Sequence, residues 1–185
     1  MANYKFFILG AVGLLGLAIA PANLVAAPVS GDSEIEVSGG FSHAQGSGTG
    51  NFNADIHYGY YLTPGWELGL RQALNYQFID RHRDSWIATT TPFIFYNFQF
   101  NEKFIPYLGA DIGVVWNDRD VTGTLGPNAG LKIFLSDQSF LNLGYRYEWF
   151  FDRIRDVSNH ASTGNHVANI GLGFVWGGAR GTAKP

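Results

Sequence analysis

The feature that most limits the fold is an alternation of apolar and polar residues over positions 141–153, LNLGYRYEWFFDR, which Phe150 alone interrupts up to Asp152. Every second residue from position 141 to position 151 is large and apolar: Leu141, Leu143, Tyr145, Tyr147, Trp149 and Phe151. Successive side chains of a β-strand point to opposite faces, whereas a helix would mix the two sets around its circumference. The segment is therefore predicted to be a strand with one aromatic face and one polar face that carries Arg146 and Glu148.

The size of the apolar side chains indicates which way the aromatic face points. A barrel of about eight strands is just wide enough for side chains to fill its interior, so several aromatic rings from every strand would overfill it. We therefore expect the aromatic face to point outward into lipid and the charged face to line the lumen. Only 15% of the residues are charged and 16% are aromatic, which is unusual for a soluble domain. A secreted soluble barrel with a ligand-filled lumen, the alternative, requires the aromatic face inside.

The same alternation recurs along the chain and predicts eight strands, at residues 33–45, 52–62, 66–78, 85–100, 104–116, 124–135, 141–153 and 166–176. Their connections alternate between short turns and longer polar loops, as in outer-membrane barrels with short periplasmic turns. The predicted fold is all-β, an eight-stranded antiparallel up-and-down transmembrane β-barrel over residues 33–176. Pro92 lies inside the fourth strand, where it is expected to cause a bulge or to lie near the rim.

The first 26 residues have the pattern of a secretory signal peptide. Lys5 precedes an apolar run over residues 6–20, and small residues follow, with cleavage expected after Ala22 or near Ala26. The run is shorter than the roughly 20 residues that a membrane-spanning helix needs. The chain contains no cysteine, which excludes disulfides and thiolate metal sites and fits passage through an oxidising periplasm.

The architecture resembles the small eight-stranded outer-membrane barrels of the OmpA and OmpX kind. Residues 143–147 and 170–174 look like membrane strands of that family, and the aromatic Trp176 near the end of the last strand resembles an assembly signal. The resemblance implies the outer membrane of a Gram-negative bacterium, insertion by the assembly machinery, and a structural or interaction role through extracellular loops, without catalysis or a cofactor. The tail over residues 177–185 departs from the family, which usually stops at the terminal aromatic.

Charged side chains on the predicted lumen faces form the main candidate site: Asp55, His57, Glu67, Arg71, Asp111, Lys132, Arg146 and Glu148. An unpaired buried charge costs several kcal/mol, so these groups are expected to pair with one another. The alternative is a proton or ion path. We favour a salt-bridge plug that closes the lumen, because a barrel of this size leaves no open channel of the porin kind.

An enzymatic alternative rests on His160 and Ser162, which resemble the catalytic pair of outer-membrane lipid A deacylases. That family carries the pair on a strand near the rim, followed by a Glu, whereas no acidic residue follows Ser162. A Ser and a His without an orienting third group do not make a triad. A non-catalytic role is therefore preferred over a lipid A deacylase activity.

The remaining polar residues bear on partners. Arginines near the predicted outer rim are candidates for the phosphates of lipopolysaccharide, since Arg suits bidentate phosphate contacts: Arg81, Arg83, Arg119, Arg153 and Arg155. The net charge of −3 and the lack of a basic cluster disfavour nucleic acid as a partner. The five histidines are scattered without ligand spacing, so no metal site is predicted.

Overall fold

The computed structural model describes residues 27–43, 50–78, 85–151 and 164–178. These residues form one closed barrel in which each strand pairs antiparallel with the next and the last strand pairs with the first. The strands are β1 Asp32–His43, β2 Gly50–Tyr61, β3 Trp66–Phe78, β4 Ser85–Asn97, β5 Phe104–Trp116, β6 Val121–Phe134, β7 Ser139–Phe150 and β8 Gly164–Gly177. The predicted eight-stranded up-and-down barrel is confirmed.

Among the described residues, no helix has both the length and the apolar character needed to cross a membrane.

The strand bounds follow the alternation closely. β3 and β5 match their predicted ranges, whereas β6 begins three residues earlier than predicted, so the expected loop over residues 117–123 is shorter. The reason is that Val121 and Thr122 continue the outward and inward alternation and pair with Trp116 and Val115 of β5. β4 ends at Asn97 instead of residue 100, because its pairing with β5 stops there.

The prediction of a bulge or rim position at Pro92 is wrong. β4 keeps one register with β5 on both sides of the proline, as the pairs Thr90↔Val114 and Phe93↔Asp111 show. Pro92 pairs with Leu70 of β3 in the middle of the strand, and its ring is exposed on the outer face. Only the local pairing with β5 lapses, since proline has no backbone N–H to donate.

The outer surface of the barrel is apolar around its circumference. Exposed large side chains occur on every strand and include Val37, Tyr58, Leu70, Ile94, Ile112, Leu125, Leu143 and Leu172. Trp66 and Tyr96 pack 5.0 Å apart near the short turns, and Trp86 and Trp116 pack 5.6 Å apart near the opposite rim. This arrangement of an apolar band between aromatic residues is typical of a lipid-facing barrel.

The interior nevertheless holds large aromatic side chains, although the size of the rings predicted that the aromatic faces point outward. The buried inward-facing rings include Tyr61, Phe93, Phe95, Tyr107, Phe134 and Phe140. Glycines on the lumen faces make room for them: a Cβ at Gly69 would meet Phe93, one at Gly109 would meet Phe95, and one at Gly173 would meet Phe140. The lumen thus accepts a few rings because neighbouring strands contribute no side chain at those points.

Replacing Gly130 with alanine tests this fit. The added Cβ would overlap the ring and hydroxyl of Tyr107, whose ring is held by stacking 5.0 Å from Phe95. We expect Gly130→Ala to lower the free energy of unfolding by about 1–3 kcal/mol, as overpacked cores do. Urea unfolding of the protein in lipid vesicles measures the change. In a Tyr107→Val background the same substitution should cost much less, and an equal cost in both backgrounds would contradict the steric explanation.

Candidate functional site

The candidate site is the polar lumen, in which buried charges form two groups. The lower cluster, nearer the short turns, comprises Glu34, Glu36, His57, Glu67 and Lys132. The upper cluster, nearer the long loops, comprises Asp55, Arg71, Asp111, Arg146 and Glu148. All ten side chains are buried. Each reaches the lumen because it falls on the inward face of an alternating strand.

Lys132 is the centre of the lower cluster and has no exposed surface. Its Nζ donates hydrogen bonds to both carboxylate oxygens of Glu34 at 2.7 Å and to Glu67 Oε2 at 2.9 Å. It also lies 2.9 Å from the hydroxyl of Tyr61, which donates to Glu34 Oε2 at 2.6 Å. One ammonium group therefore joins β1, β2 and β3 to β6 across the lumen.

His57 and two amides complete the lower cluster. His57 Nε2 lies 2.9 Å from Glu34 Oε1 and 3.7 Å from Glu36 Oε2. Asn142 Nδ2 donates to both oxygens of Glu36 at 2.9 Å, and Asn97 Nδ2 donates to Glu67 Oε2 at 3.0 Å. These hydrogen bonds offset part of the cost of removing the carboxylates from water.

Glu34, His57 and Glu67 present potential metal ligands within 4.8 Å of one another, although their spacing in the sequence gave no such signal. The Nζ of Lys132 lies at hydrogen-bond distance from both carboxylates. Lys132 thus already supplies a positive charge to these potential ligands. The geometry is that of an internal ion cluster, in which a metal ion would have to displace the ammonium group.

Apolar side chains close the lumen below the lower cluster. Ile105, Phe134, Phe140 and Val175 form a fully buried group at the end that carries the short turns. The rings of Phe134 and Phe140 lie 5.3 Å apart, and Lys132 Nζ lies 5.2 Å from the Phe140 centroid. The lower half of the lumen is therefore filled by an ion cluster resting on an apolar floor.

Two arginines organise the upper cluster. Arg71 donates to Asp111 Oδ2 at 2.8 Å, and its guanidinium carbon lies 5.6 Å from the centroid of Phe93. Arg146 donates from one terminal nitrogen to Asp55 Oδ2 at 3.0 Å and from Nε to Glu148 Oε1 at 2.8 Å. Arg71 thus links β3 to β5, and Arg146 links β7 to β2 across the lumen.

The structure places all eight predicted lumen residues inside the barrel. It brings His57, Glu67 and Lys132 together in the lower cluster and the other five together in the upper cluster. The prediction omitted Glu34 and Glu36, although both alternate with Ile35 and Val37 on β1. The alternation of polar residues with Ile35 and Val37 was the sequence signal that could have identified them.

The lumen holds more acidic side chains than the predicted set, whose eight residues comprise four acidic and four basic side chains. Seven carboxylates are buried in the described part of the barrel, at Asp32, Glu34, Glu36, Asp55, Glu67, Asp111 and Glu148. They face three permanent cations, Arg71, Lys132 and Arg146, together with His57. The additional acidic side chains are Asp32, Glu34 and Glu36 of β1, which the predicted set did not include.

Several predicted sites lie outside the described residues: Arg81, Arg83, Arg153, Arg155, His160, Ser162, the signal peptide over residues 1–26 and the end of the tail. Arg119 is described and lies in the connection between β5 and β6, with 53% of its side chain exposed. Its Nε lies 4.0 Å from Asp118 Oδ2. Arg119 thus lies at the rim, and its contact with lipopolysaccharide phosphate stays a prediction.

Arg146→Ala tests the upper cluster. Asp55 and Glu148 would lose their shared cation while remaining nearly buried, so we expect the free energy of unfolding to fall by about 1–3 kcal/mol. Urea unfolding in lipid vesicles measures this loss. Arg119→Ala is the matched control and should leave the midpoint nearly unchanged, because its ion pair is exposed. Equal midpoints for the two variants would argue against a structural plug.

The model of the family described as outer membrane protein beta-barrel domain matches residues 9–175. The chain belongs to this family. Its location is accordingly the outer membrane of a Gram-negative bacterium, with the short turns on the periplasmic side. A comparison with characterised protein sequences gives no significant match.

Solved structures of outer-membrane proteins share the fold. The N-terminal barrel domain of Pseudomonas aeruginosa OprF superposes with a TM-score of 0.55 at 19% identity, covering 80% of this chain and all of that one. Neisserial surface protein A gives 0.57 at 15% identity, covering 78% and 94%. Yersinia pestis Ail in a phospholipid nanodisc gives 0.50 at 16% identity, covering 80% and 100%. At these identities the likeness concerns the fold.

Proposed function

We propose that this outer-membrane barrel is a non-catalytic component of the envelope, whose extracellular loops contact lipopolysaccharide and other surface partners. The observation that carries the proposal is the filled lower lumen. Lys132 with its carboxylates, and the apolar floor beneath them, occupy the space through which a solute would pass. A barrel that conducts little through its centre presents its loops and its lipid-facing surface as the parts that meet other molecules.

The described residues also support a non-catalytic role. In the lower cluster, Lys132 is paired with Glu34 and Glu67, and the apolar floor closes the lumen beneath them. Catalysis requires a reactive group that a substrate can reach. The upper cluster faces a wider space, but its two arginines are paired with its carboxylates.

The experiment that tests the proposal exchanges the outer loops while keeping the barrel. Residues 44–49, 79–84, 117–120 and 152–163 would be replaced by short Gly-Ser linkers, singly and together. We expect the loop-free barrel to keep its heat-modifiable mobility on gels but to lose binding to immobilised lipopolysaccharide. Retained binding would contradict the loop assignment.

A second measurement addresses chemistry and transport. Lipid A from cells with and without the protein should have the same mass, and planar bilayers containing the protein should show no porin-sized conductance steps. Loss of an acyl chain that depends on Ser162 would instead establish a hydrolase. Large conductance steps would contradict the filled lumen.

A further inference from the structure

The upper half of the lumen widens into a cavity of about 250 Å³, here called the vestibule. Its lining is mixed: uncharged polar residues of β2, β3 and β4 alternate with apolar ones such as Ala73, Val115 and Val167. Its floor is formed by Asp55, Arg146 and Glu148 of the upper cluster. The vestibule is therefore a partly polar chamber with a charged floor, closed below by the two clusters.

The vestibule has a negative charge balance. Two carboxylates and a single guanidinium group line it, and the lumen beneath it holds more buried carboxylates than cations. Fields add in a narrow space with low-dielectric walls, so a cleft of one sign concentrates ions of the opposite sign. The electrostatics favour a cationic occupant over a neutral or anionic one.

Two unused hydrogen-bond acceptors lie beside the vestibule. The side-chain oxygens of Asn51 and Asn53 are buried and have no hydrogen-bond partner. Both residues line the vestibule, and they precede Asp55 on the same face of β2, which makes a row of three oxygen-bearing side chains. Rotation of these amides about the last side-chain bond would turn the oxygens toward the vestibule, where a donor on a bound molecule would recover the free energy that an unpaired buried acceptor costs.

We propose that the vestibule is a dead-end binding site for a small organic cation that carries ammonium groups. Ammonium hydrogens are donors without acceptor capacity, which suits the Asn51, Asn53 and Asp55 row together with Glu148. A cavity of about 150 Å³ holds a benzene molecule, so the vestibule has room for about ten non-hydrogen atoms. Because the lower cluster closes the lumen, such a molecule enters and leaves on the outer side.

The test uses three four-carbon probes that differ in charge: putrescine, 1,4-butanediol and succinate. The full chain would be placed in phosphatidylcholine nanodiscs, whose lipid carries no net charge, and titrated by calorimetry. We expect saturable binding of putrescine with one site per barrel and at least about tenfold weaker binding of the other two, since neither can donate a hydrogen bond from a cationic group to Asp55 or Glu148. Side-chain amide resonances of Asn51 and Asn53 should shift with putrescine alone.

Two variants separate the site from general attraction. Glu148→Gln removes one floor charge and should weaken putrescine binding about tenfold. Ala73→Leu leaves every charge in place but fills part of the vestibule, and should weaken binding as well. Asp118→Asn removes an exposed charge that does not line the vestibule and serves as the control.

The outcomes decide the proposal in either direction. Putrescine binding that weakens in the two vestibule variants and persists in the control supports it. If Glu148→Gln does not fold, Ala73→Leu decides alone, because it leaves the upper ion pairs intact. No binding of putrescine, binding of succinate or 1,4-butanediol of equal strength, or equal loss in Asp118→Asn would overturn it.

Discussion

Lys132→Ala is expected to destabilise the barrel by about 3–5 kcal/mol, the loss typical of a buried ion cluster that is deprived of one partner. The ammonium group contacts Glu34 and Glu67, and all three side chains are fully buried. Without it, these carboxylates keep the hydrogen bonds from Tyr61 and Asn97 but lose the only lysine in the lower cluster. Urea unfolding in lipid vesicles, followed by tryptophan fluorescence, measures the change.

The matched control is Lys103→Ala. Lys103 is exposed in the turn before β5, where its Nζ lies 5.8 Å from the ring of Phe104, so its removal should change stability by no more than about 1 kcal/mol. A second comparison uses Lys132→Met combined with Glu34→Gln and Glu67→Gln. This triple variant removes the stranded charges together with the lysine and should recover part of the loss. A loss no greater than that of Lys103→Ala would rule out an important ion cluster.

The sequence predicted the strands because the alternation carries the information that a barrel needs. In β3 and β5, most large apolar residues face lipid and most polar residues face the lumen, although Gln72 faces outward and Ile105 and Val115 face inward. The alternation ends where each strand ends. β4 hides this pattern, since Phe93 and Phe95 face inward while Ile94 and Tyr96 face outward. Four successive apolar residues give no face assignment, and the inward rings became visible only with the register.

The candidate site was predictable in composition but not in its contacts. Alternation places Lys132 and Glu34 in the lumen. It does not tell whether residues of two strands that are not neighbours lie at the same level along the barrel axis. The two residues are 98 positions apart and belong to β6 and β1, which do not pair with each other. Their contact depends on closure of the barrel and on the tilt of its strands, which a single sequence pattern does not contain.

The vestibule was not predictable from the sequence for the same reason. Asn51, Asn53 and Gln77 are recognisable as polar residues of the lumen face, but whether their side chains fill the lumen depends on the residues opposite them. Small side chains such as Ala73 and Ser85 leave room in the upper half, whereas Phe95, Tyr107 and Phe140 fill the lower half. The upper half of the lumen is therefore open and the lower half filled because of which side chains lie at the same level, and only the closed barrel determines that.

Leu172→Arg is expected to cost about 2–4 kcal/mol, the penalty for an arginine near the middle of the bilayer on the lipid face of a barrel. Leu172 lies on the outer face of β8 with 49% of its surface exposed, and it pairs with Leu141 of β7 and Val37 of β1. It is surrounded by apolar side chains that would face lipid tails. Urea unfolding in lipid vesicles again provides the measurement.

Val121→Arg is the depth control for this substitution. Val121 begins β6 at the outer rim, where 71% of its surface is exposed, so an arginine there should cost about 0–1 kcal/mol. The difference between the two variants depends on the bilayer alone, because both residues point away from the lumen. In a soluble barrel, both positions would face water, and each substitution would fall within about 0.5 kcal/mol of zero. A small and equal effect at both positions would therefore contradict the membrane assignment, whereas a strong depth dependence follows directly from the apolar band that the alternation first predicted.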